Sequence, residues 1–220
     1  MQSEIRYKPA FAAIFVTLKP GDSIIAEAGA MTSMDAQLSM TTEFSGGFFS
    51  ALLKKFFGNE SLFVNKFVNN TNKPLQLVLS QTVIGDIEQI NLDNQEIYLQ
   101  AGAYIASTPD VKIGVRWAGI SSLIAGEGLF NLKLSGRGQA WFGDYGGISK
   151  KMVNGDFIVD NSHLIAYEAG LSMKIRLSGG LFSSLTSGEG LVNKLSGKGT
   201  VYLQSRSIDG LVGYLRTKIK

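Results

Sequence analysis

At 220 residues the chain is long enough to bury a substantial core, and charged side chains make up only 18% of it, so part of its surface is neutral or hidden in contacts between subunits. The absence of cysteine excludes disulfides, thiolate nucleophiles and cysteine-based zinc sites, and the single histidine, His163, excludes a multi-histidine metal centre. A net charge of +3 with no clustered basic face argues against nucleic acid as a dedicated partner.

Twenty-six glycines and four prolines among many β-branched and aromatic residues predict short strands joined by tight turns. Met1 to Pro9 carries charges and does not read as a signal peptide. Phe11 to Leu18 reads as the first strand, stopped by the turn Lys19-Pro20-Gly21-Asp22, with Ser23 to Ala30 as its return strand. The apolar run within that first strand is far too short to span a bilayer, which takes about 20 residues. A soluble cytoplasmic protein is therefore expected.

The phrase in which an acid follows a turn and precedes an apolar strand comes back twice, so that Asp22, Glu96 and Asp156 form one series. A strand of strict alternation follows each. Gln37 to Thr41 is the weakest; Val111 to Trp117 puts Val111, Ile113, Val115 and Trp117 on one face; Leu171 to Leu177 does so with Leu171, Met173, Ile175 and Leu177. Each runs into glycine, at Gly46-Gly47, Gly119 and Gly179-Gly180. Then comes a third phrase: Gly58-Asn-Glu-Ser-Leu-Phe-Val-Asn-Lys-Phe, Ala125-Gly-Glu-Gly-Leu-Phe-Asn-Leu-Lys-Leu-Ser-Gly-Arg-Gly and Ser187-Gly-Glu-Gly-Leu-Val-Asn-Lys-Leu-Ser-Gly-Lys-Gly.

The series Asp22, Glu96, Asp156 advances by 74 and 60 residues and the series Gly47, Gly119, Gly180 by 72 and 61, so the two landmarks keep step with each other. Units that recur this way cannot bury their apolar faces alone. The expectation is one all-β domain over 1–220, made of three internal β repeats about a pseudo-threefold axis. Repeat one covers about 11–86, repeat two about 87–148 and repeat three about 149–210. One segment departs from the β pattern. From Gly47 to Phe57, Phe48, Leu52 and Phe56, with Phe49 and Leu53 beside them, have helical spacing and predict a short amphipathic helix, with Ser45 able to cap it and Gly58 able to end it. Its apolar face is expected to meet the core or another subunit; a peripheral membrane contact, with Lys54 and Lys55 on the opposite side, is the alternative.

The Gly-Glu motifs single out Glu60, Glu127 and Glu189, with Gly126, Gly128, Gly188 and Gly190 around them and Lys66, Lys133 and Lys194 downstream. A residue repeated with its unit serves the unit's geometry before it serves a reaction, so each glutamate is expected to bind turn backbone or pair with a basic neighbour. A shared divalent cation would need about six oxygen ligands, which is the minor alternative. His163 is expected to be a hydrogen-bonded structural histidine, and Ser162, His163 and Asp160 do not converge as a triad if they lie on one strand. Gly197-Lys-Gly-Thr fails the phosphate-loop pattern, because position 192 is Val and position 199 is Gly; Gly126-Glu-Gly fails the dinucleotide pattern at Asn131. Asn59-Glu-Ser and Asn69-Asn-Thr match glycosylation sequons without a secretory route.

Six motifs in order carry a family resemblance: Gly58-Asn-Glu-Ser-Leu-Phe, Leu99-Gln-Ala-Gly-Ala-Tyr-Ile-Ala-Ser, Gly126-Glu-Gly-Leu-Phe, Gly155-Asp-Phe-Ile-Val-Asp-Asn-Ser-His-Leu-Ile-Ala-Tyr, Ser187-Gly-Glu-Gly-Leu-Val and Val201-Tyr-Leu-Gln-Ser-Arg-Ser. Through them the chain resembles the altered-inheritance-of-mitochondria family, number twenty-four in that naming series, over nearly its whole length. The resemblance implies a β fold grouped with the tryptophan RNA-binding attenuation protein, and it brings no catalytic residues. Ser61 replaces the second glycine of the first motif, and Gly197-Lys-Gly replaces the usual Gly-Pro-Gly. The resulting expectation is a non-enzymatic β scaffold or binding module that forms a homo-oligomer, with no cofactor, no metal and an unidentified protein partner. Membrane-surface association and nucleic-acid binding are the alternatives.

Overall fold

The computed structural model describes residues 1–44, 63–100, 102–117, 130–177 and 191–219. Among them it is mostly β. The strands are β1 (Gln2–Arg6), β2 (Ala13–Leu18), β3 (Ser23–Glu27), β4 (Met31–Met34), β5 (Ser39–Phe44), β6 (Phe63–Val68), β7 (Leu75–Ser80) and β8 (Gly85–Asp93). They continue as β9 (Ile97–Leu99), β10 (Tyr104–Ser107), β11 (Val111–Trp117), β12 (Phe130–Tyr145), β13 (Ile148–Asp160), β14 (Leu164–Glu168), β15 (Leu171–Leu177) and β16 (Leu191–Gln204). A 3-10 turn, Asn161–His163, precedes β14, and helix α1 (Ile208–Arg216) follows β16. The helix expected at 47–57, with Phe48, Phe49, Leu52, Leu53 and Phe56, lies outside the described residues.

The alternating stretches form strands for the expected reason. β2 reads half-buried and buried in strict turn, putting Ile14, Val16 and Leu18 into the core. Along β11 and β15, Val111 and Leu171 are buried while Lys112, Ser172 and Lys174 face outward. β1 was not expected. It forms because Ser3 and Ile5 turn to the protein while Gln2, Glu4 and Arg6 face solvent, and it pairs antiparallel with β2 from Gln2 opposite Thr17 to Arg6 opposite Ala13.

The expected return of Ser23 to Ala30 along the first strand does not occur. β2 pairs with β7, whereas β3 pairs with β6. The turn between β2 and β3 abuts the break between β6 and β7: Gly21 N donates to Asn69 O at 2.9 Å, and Asn69 N donates to Asp22 O at 3.0 Å. Two interrupted strands thus run beside each other in place of a hairpin. Asn69 seals the break. Its Nδ2 donates to Leu18 O and Lys73 O, its Oδ1 accepts from Thr71 N and Oγ1, and its side chain is fully buried. In the folded chain this sequon asparagine is inaccessible to glycosylation.

Three longer stretches carry the pairing. β6 lies between β3 and β5, and β7 lies between β2 and β4. The first half of β12 lies between β9 and β11, and its second half between β8 and β10. β16 lies between β13 and β15 in its first half and between β13 and β14 in its second. β4, β10 and β14 each carry one register shift, between Met31 and Ser33, Tyr104 and Ala106, and Leu164 and Ala166. Two more ladders join these groups: β10 pairs with β3, and β14 pairs with β9. The result is a four-stranded sheet, β1-β2-β7-β4, and a twelve-stranded array whose spine runs β13-β16-β14-β9-β12-β10-β3-β6-β5.

The core falls into three clusters. One gathers Ile14, Leu18, Phe67, Leu79, Ile105 and Trp141; the second Leu99, Tyr104, Leu132, Phe142 and Tyr202; the third Leu164, Tyr167, Leu195 and Val201.

Candidate functional site

The sequence places its candidate site on Glu60, Glu127 and Glu189 with Gly126, Gly128, Gly188 and Gly190. All seven lie outside the described residues. Their downstream lysines, Lys66, Lys133 and Lys194, all lie within the described residues, and two of them are engaged elsewhere. Lys133 Nζ pairs with Glu96, and Lys194 Nζ pairs with Asp156 at 2.5 Å. The acids held are therefore those that follow the turns. The third of that series, Asp22, pairs with the chain's own amino terminus at 2.5 Å.

The Glu96 pair opens a polar cluster where β14 joins β9. Tyr98 on β9 donates its hydroxyl to Glu96 Oε2 at 3.1 Å, and the Arg116 guanidinium lies 4.3 Å from the centre of the Tyr98 ring. Across the ladder Tyr98 faces Tyr167, their ring centres 5.2 Å apart. Asn131 Nδ2 on β12 donates to the Tyr167 hydroxyl at 3.3 Å. Around this joint Gln100 Nε2 donates to Asn161 O and Glu168 Oε2 accepts from Thr200 N. The joint of β10 with β3 is drier. Tyr104 is fully buried; its hydroxyl donates to Ile25 O at 3.2 Å, with Ser107 Oγ at 3.0 Å.

The same directions of shift hold at the joints and at the other two acids of the series. The hydrogen bond from Lys133 holds the Glu96 carboxyl below its ordinary range, with Tyr98 adding to it; Lys194 and then Ser196 do the same for Asp156, and the amino terminus for Asp22. Burial pushes the Tyr104, Tyr98 and Tyr167 hydroxyls upward. The carboxylates stay charged and neutralised, and the phenols keep their protons. Such groups tie neighbouring strands together.

Acid stability follows from the sign of these shifts. A carboxyl lowered in the folded state stabilises fully above its ordinary value, 3.8 for Asp and 4.5 for Glu, and that stabilisation is lost as pH falls through the lower folded value. The urea midpoint is expected to fall between pH 5 and pH 2. Lys133→Met and Lys194→Met together are expected to make that fall shallower; an unchanged slope would show that the pairs do not couple to folding.

His163 lies on the 3-10 turn and not on a strand, which corrects the geometry behind the rejected triad. Ser162 Oγ and N both bond Asp160 Oδ1, capping the turn, while His163 Nδ1 meets Gln204 O at 2.8 Å. Serine and histidine are thus each committed to different partners. Gly197-Lys-Gly lies inside β16, a continuous strand, so no helix N-terminus is there to receive a phosphate.

Sequence reasoning did not single out Tyr98, Arg116, Asn131 or Tyr167. The available signal was a tyrosine in each of two apolar phrases, Ile97-Tyr-Leu and Ile165-Ala-Tyr. It also missed α1, although Ser207 caps it by accepting from Gly210 N and Asp209 and Arg216 suit its two ends.

This fold aligns with a crystal structure of a Streptococcus pyogenes protein from a structural genomics consortium, with a TM-score of 0.81, 24% identity and 99% of each chain covered. A relative described as an uncharacterized protein of Streptococcus pyogenes serotype M6 is 24% identical over 215 residues, spanning 94% of this chain and 86% of its own length. A family model described as mitochondrial biogenesis AIM24 matches residues 3–206.

Proposed function

The chain belongs to the mitochondrial biogenesis AIM24 family, and from that premise we propose that it is a non-enzymatic β scaffold or binding module that works as a homo-oligomer. Its architecture on this reading is three β units, 11–86, 87–148 and 149–210, about a pseudo-threefold axis, of the kind grouped with the tryptophan RNA-binding attenuation protein. The recurrent pairing supports it: a two-part strand is flanked at the same four places three times over, β13 filling two of them beside β16, and the register shift falls at the same place in β4, β10 and β14. The observation that carries the functional reading is the make-up of the joints. Glu96, Lys133 and Tyr98 bind one another at one joint, the Tyr104 hydroxyl is held by Ile25 O and Ser107 at the other, and fold likeness alone supplies no activity.

Native mass spectrometry of the purified chain at micromolar concentration tests this, and a defined oligomer is expected. A monomer that also captures no partner would remove the basis of the reading.

Membrane-surface contact is a second reading with its own observation. On α1, Ile208, Leu211, Val212 and Leu215 are all exposed and share one face by their i, i+3, i+4 and i+7 spacing. Among the described residues no helix is long and apolar enough to cross a membrane. Flotation with anionic liposomes is expected to be lost in Leu211→Asp with Leu215→Asp; equal flotation of wild type and variant would end this reading.

A further inference from the structure

We infer that the outer edge of β4 and the open edge of the C-terminal half of β13 are the two sides of one interface, and that its occupant is a second copy of this chain added head to tail. The inference rests on the three-unit reading but not on its closure about a threefold axis: among the described residues the third joint is left open within one chain, and a second copy fills it.

The argument starts from rows of residues facing one another across the sheets. One row runs Thr42, Asn65, Ala26, Ala106, Trp141, Gln89, from β5 across β6, β3, β10 and β12 to β8. A second runs Val115, Leu132, Leu99, Ala166, Tyr202, Lys150, from β11 across β12, β9, β14 and β16 to β13. Each is six strands wide, and in each the ladder between the third and fourth residues joins two different units. The remaining residues form two halves of such a row: Ile175, Asn193, Val159 from β15, β16 and β13, and Ser33, Val78, Phe15 from β4, β7 and β2. Nothing among the described residues bridges Val159 and Ser33. Among the described residues β4 pairs only with β7, and β13 only with β16.

Burial marks the same gap. β10 is buried at all four positions and β14 at four of five, whereas Met31, Thr32 and Ser33 of β4 are exposed. On β13, Ile158 is 62% exposed, while Tyr98, the residue at its place in the complete row, is buried. Asn193 stands where the second row has Leu132. It is fully buried with neither side-chain amide atom bonded, one strand in from the open edge. The outer edges of β5, β11 and β15 are also unpaired among the described residues, but they end their sheets alike in all three units and call for no partner. Among the described residues the β4 and β13 edges lack the ladder between units that β3, β9, β10 and β14 have. β4 also has no Lys or Pro to protect an edge from pairing.

The two edges differ, so the contact is heterologous and builds a closed ring or an open filament. The bonded joints set its register. Ala106 faces Ala26 and Ser107 faces Ile25 in one, and Ala166 faces Leu99 and Tyr167 faces Tyr98 in the other. Ser33 of one copy therefore faces Val159 of the next, and Met34 faces Ile158.

The chain has no cysteine, so this register can be tested by cross-linking the full-length protein. Paired strand residues lie within disulfide reach. Met34→Cys with Ile158→Cys in one chain is expected to give, on oxidation at low micromolar concentration, a ladder of covalent multimers or one covalent ring on a non-reducing gel. Met34→Cys with Met152→Cys, which moves the second thiol to the other half of β13, is expected to give far less. An oxidised species that stays monomeric, with free thiols or with a link inside one chain, overturns the inference. Native mass of the unsubstituted chain separates the two ideas: an oligomer that the cysteines fail to trap leaves the scaffold reading standing without this interface, and a monomer removes both. Ile158→Asp, on an exposed side chain, is expected to keep the circular dichroism spectrum while lowering the native mass.

Discussion

Gly197→Ala is expected to cost about 4 kcal/mol of folding stability, and Gly155→Ala, directly across the ladder from it, only about 1–3. Both glycines hold a left-handed φ, +129° and +112°, which an alanine adopts only under strain. They differ in what surrounds them. A Cβ on Gly155 would meet nothing within 4 Å, whereas one on Gly197 would stand 2.4 Å from the carbonyl oxygen of Gly170. That oxygen belongs to the turn that launches β15, so the clash is with backbone and no side-chain rotation relieves it. Gly136 repeats the situation on β12, where a Cβ would lie 2.5 Å from Asp110 O before β11. Chemical denaturation of the three alanine variants should place Gly136 and Gly197 together, well apart from Gly155. Equal losses at Gly155 and Gly197 would mean that backbone dihedral alone sets the cost.

The second large effect is expected at Trp141. Trp141→Ala should destabilise by about 3–5 kcal/mol, the range for emptying a large aromatic site in a core. The indole has no exposure, packs among Ile14, Phe67 and Ile105, and donates Nε1–H to Gln89 Oε1 at 3.1 Å. It also stands next to Ala106 across the β10 ladder, so the cavity would open beside the joint of β10 with β3. Trp141→Phe should recover most of the loss and leave the hydrogen bond as the remainder. A Trp141→Ala midpoint close to wild type would show that this cluster collapses around the gap.

Both sites bear on how much could be read beforehand. Gly136 and Gly197 stand in the tail of the Gly-Glu phrase and were visible as letters, but what makes them obligatory is a carbonyl from a turn more than 25 residues away along the chain. Trp141 was equally visible, and its partner Gln89 was not. Side chains on one strand alternate by rule, which is why β2, β11 and β15 were legible from their apolar spacing. Which strand lies beside which is a long-range choice, and the expected hairpin of residues 11–30 failed for that reason. Two apolar strands joined by a tight turn normally pair, yet here the break at Asn69 draws the turn aside and sends β2 and β3 to different partners.

The candidate site shows the same division. The acid that follows each turn and the lysine after each Gly-Glu phrase were both noted in the chain, but as members of separate phrases. The fold brings Glu96 to Lys133 and Asp156 to Lys194 because the strands that carry them are neighbours in the sheet. Composition and periodicity carry the β character, the turn chemistry and the recurrence of phrases, since each depends on residues a few positions apart. They also carry a clue at the open edge, where Met31-Thr-Ser-Met is more polar than Tyr104-Ile-Ala-Ser or Leu164-Ile-Ala-Tyr. That β4 pairs only with β7 among the described residues, while β10 and β14 each pair on both sides, belongs to the folded chain alone, because an edge exists only once the strands have been counted on both of its sides.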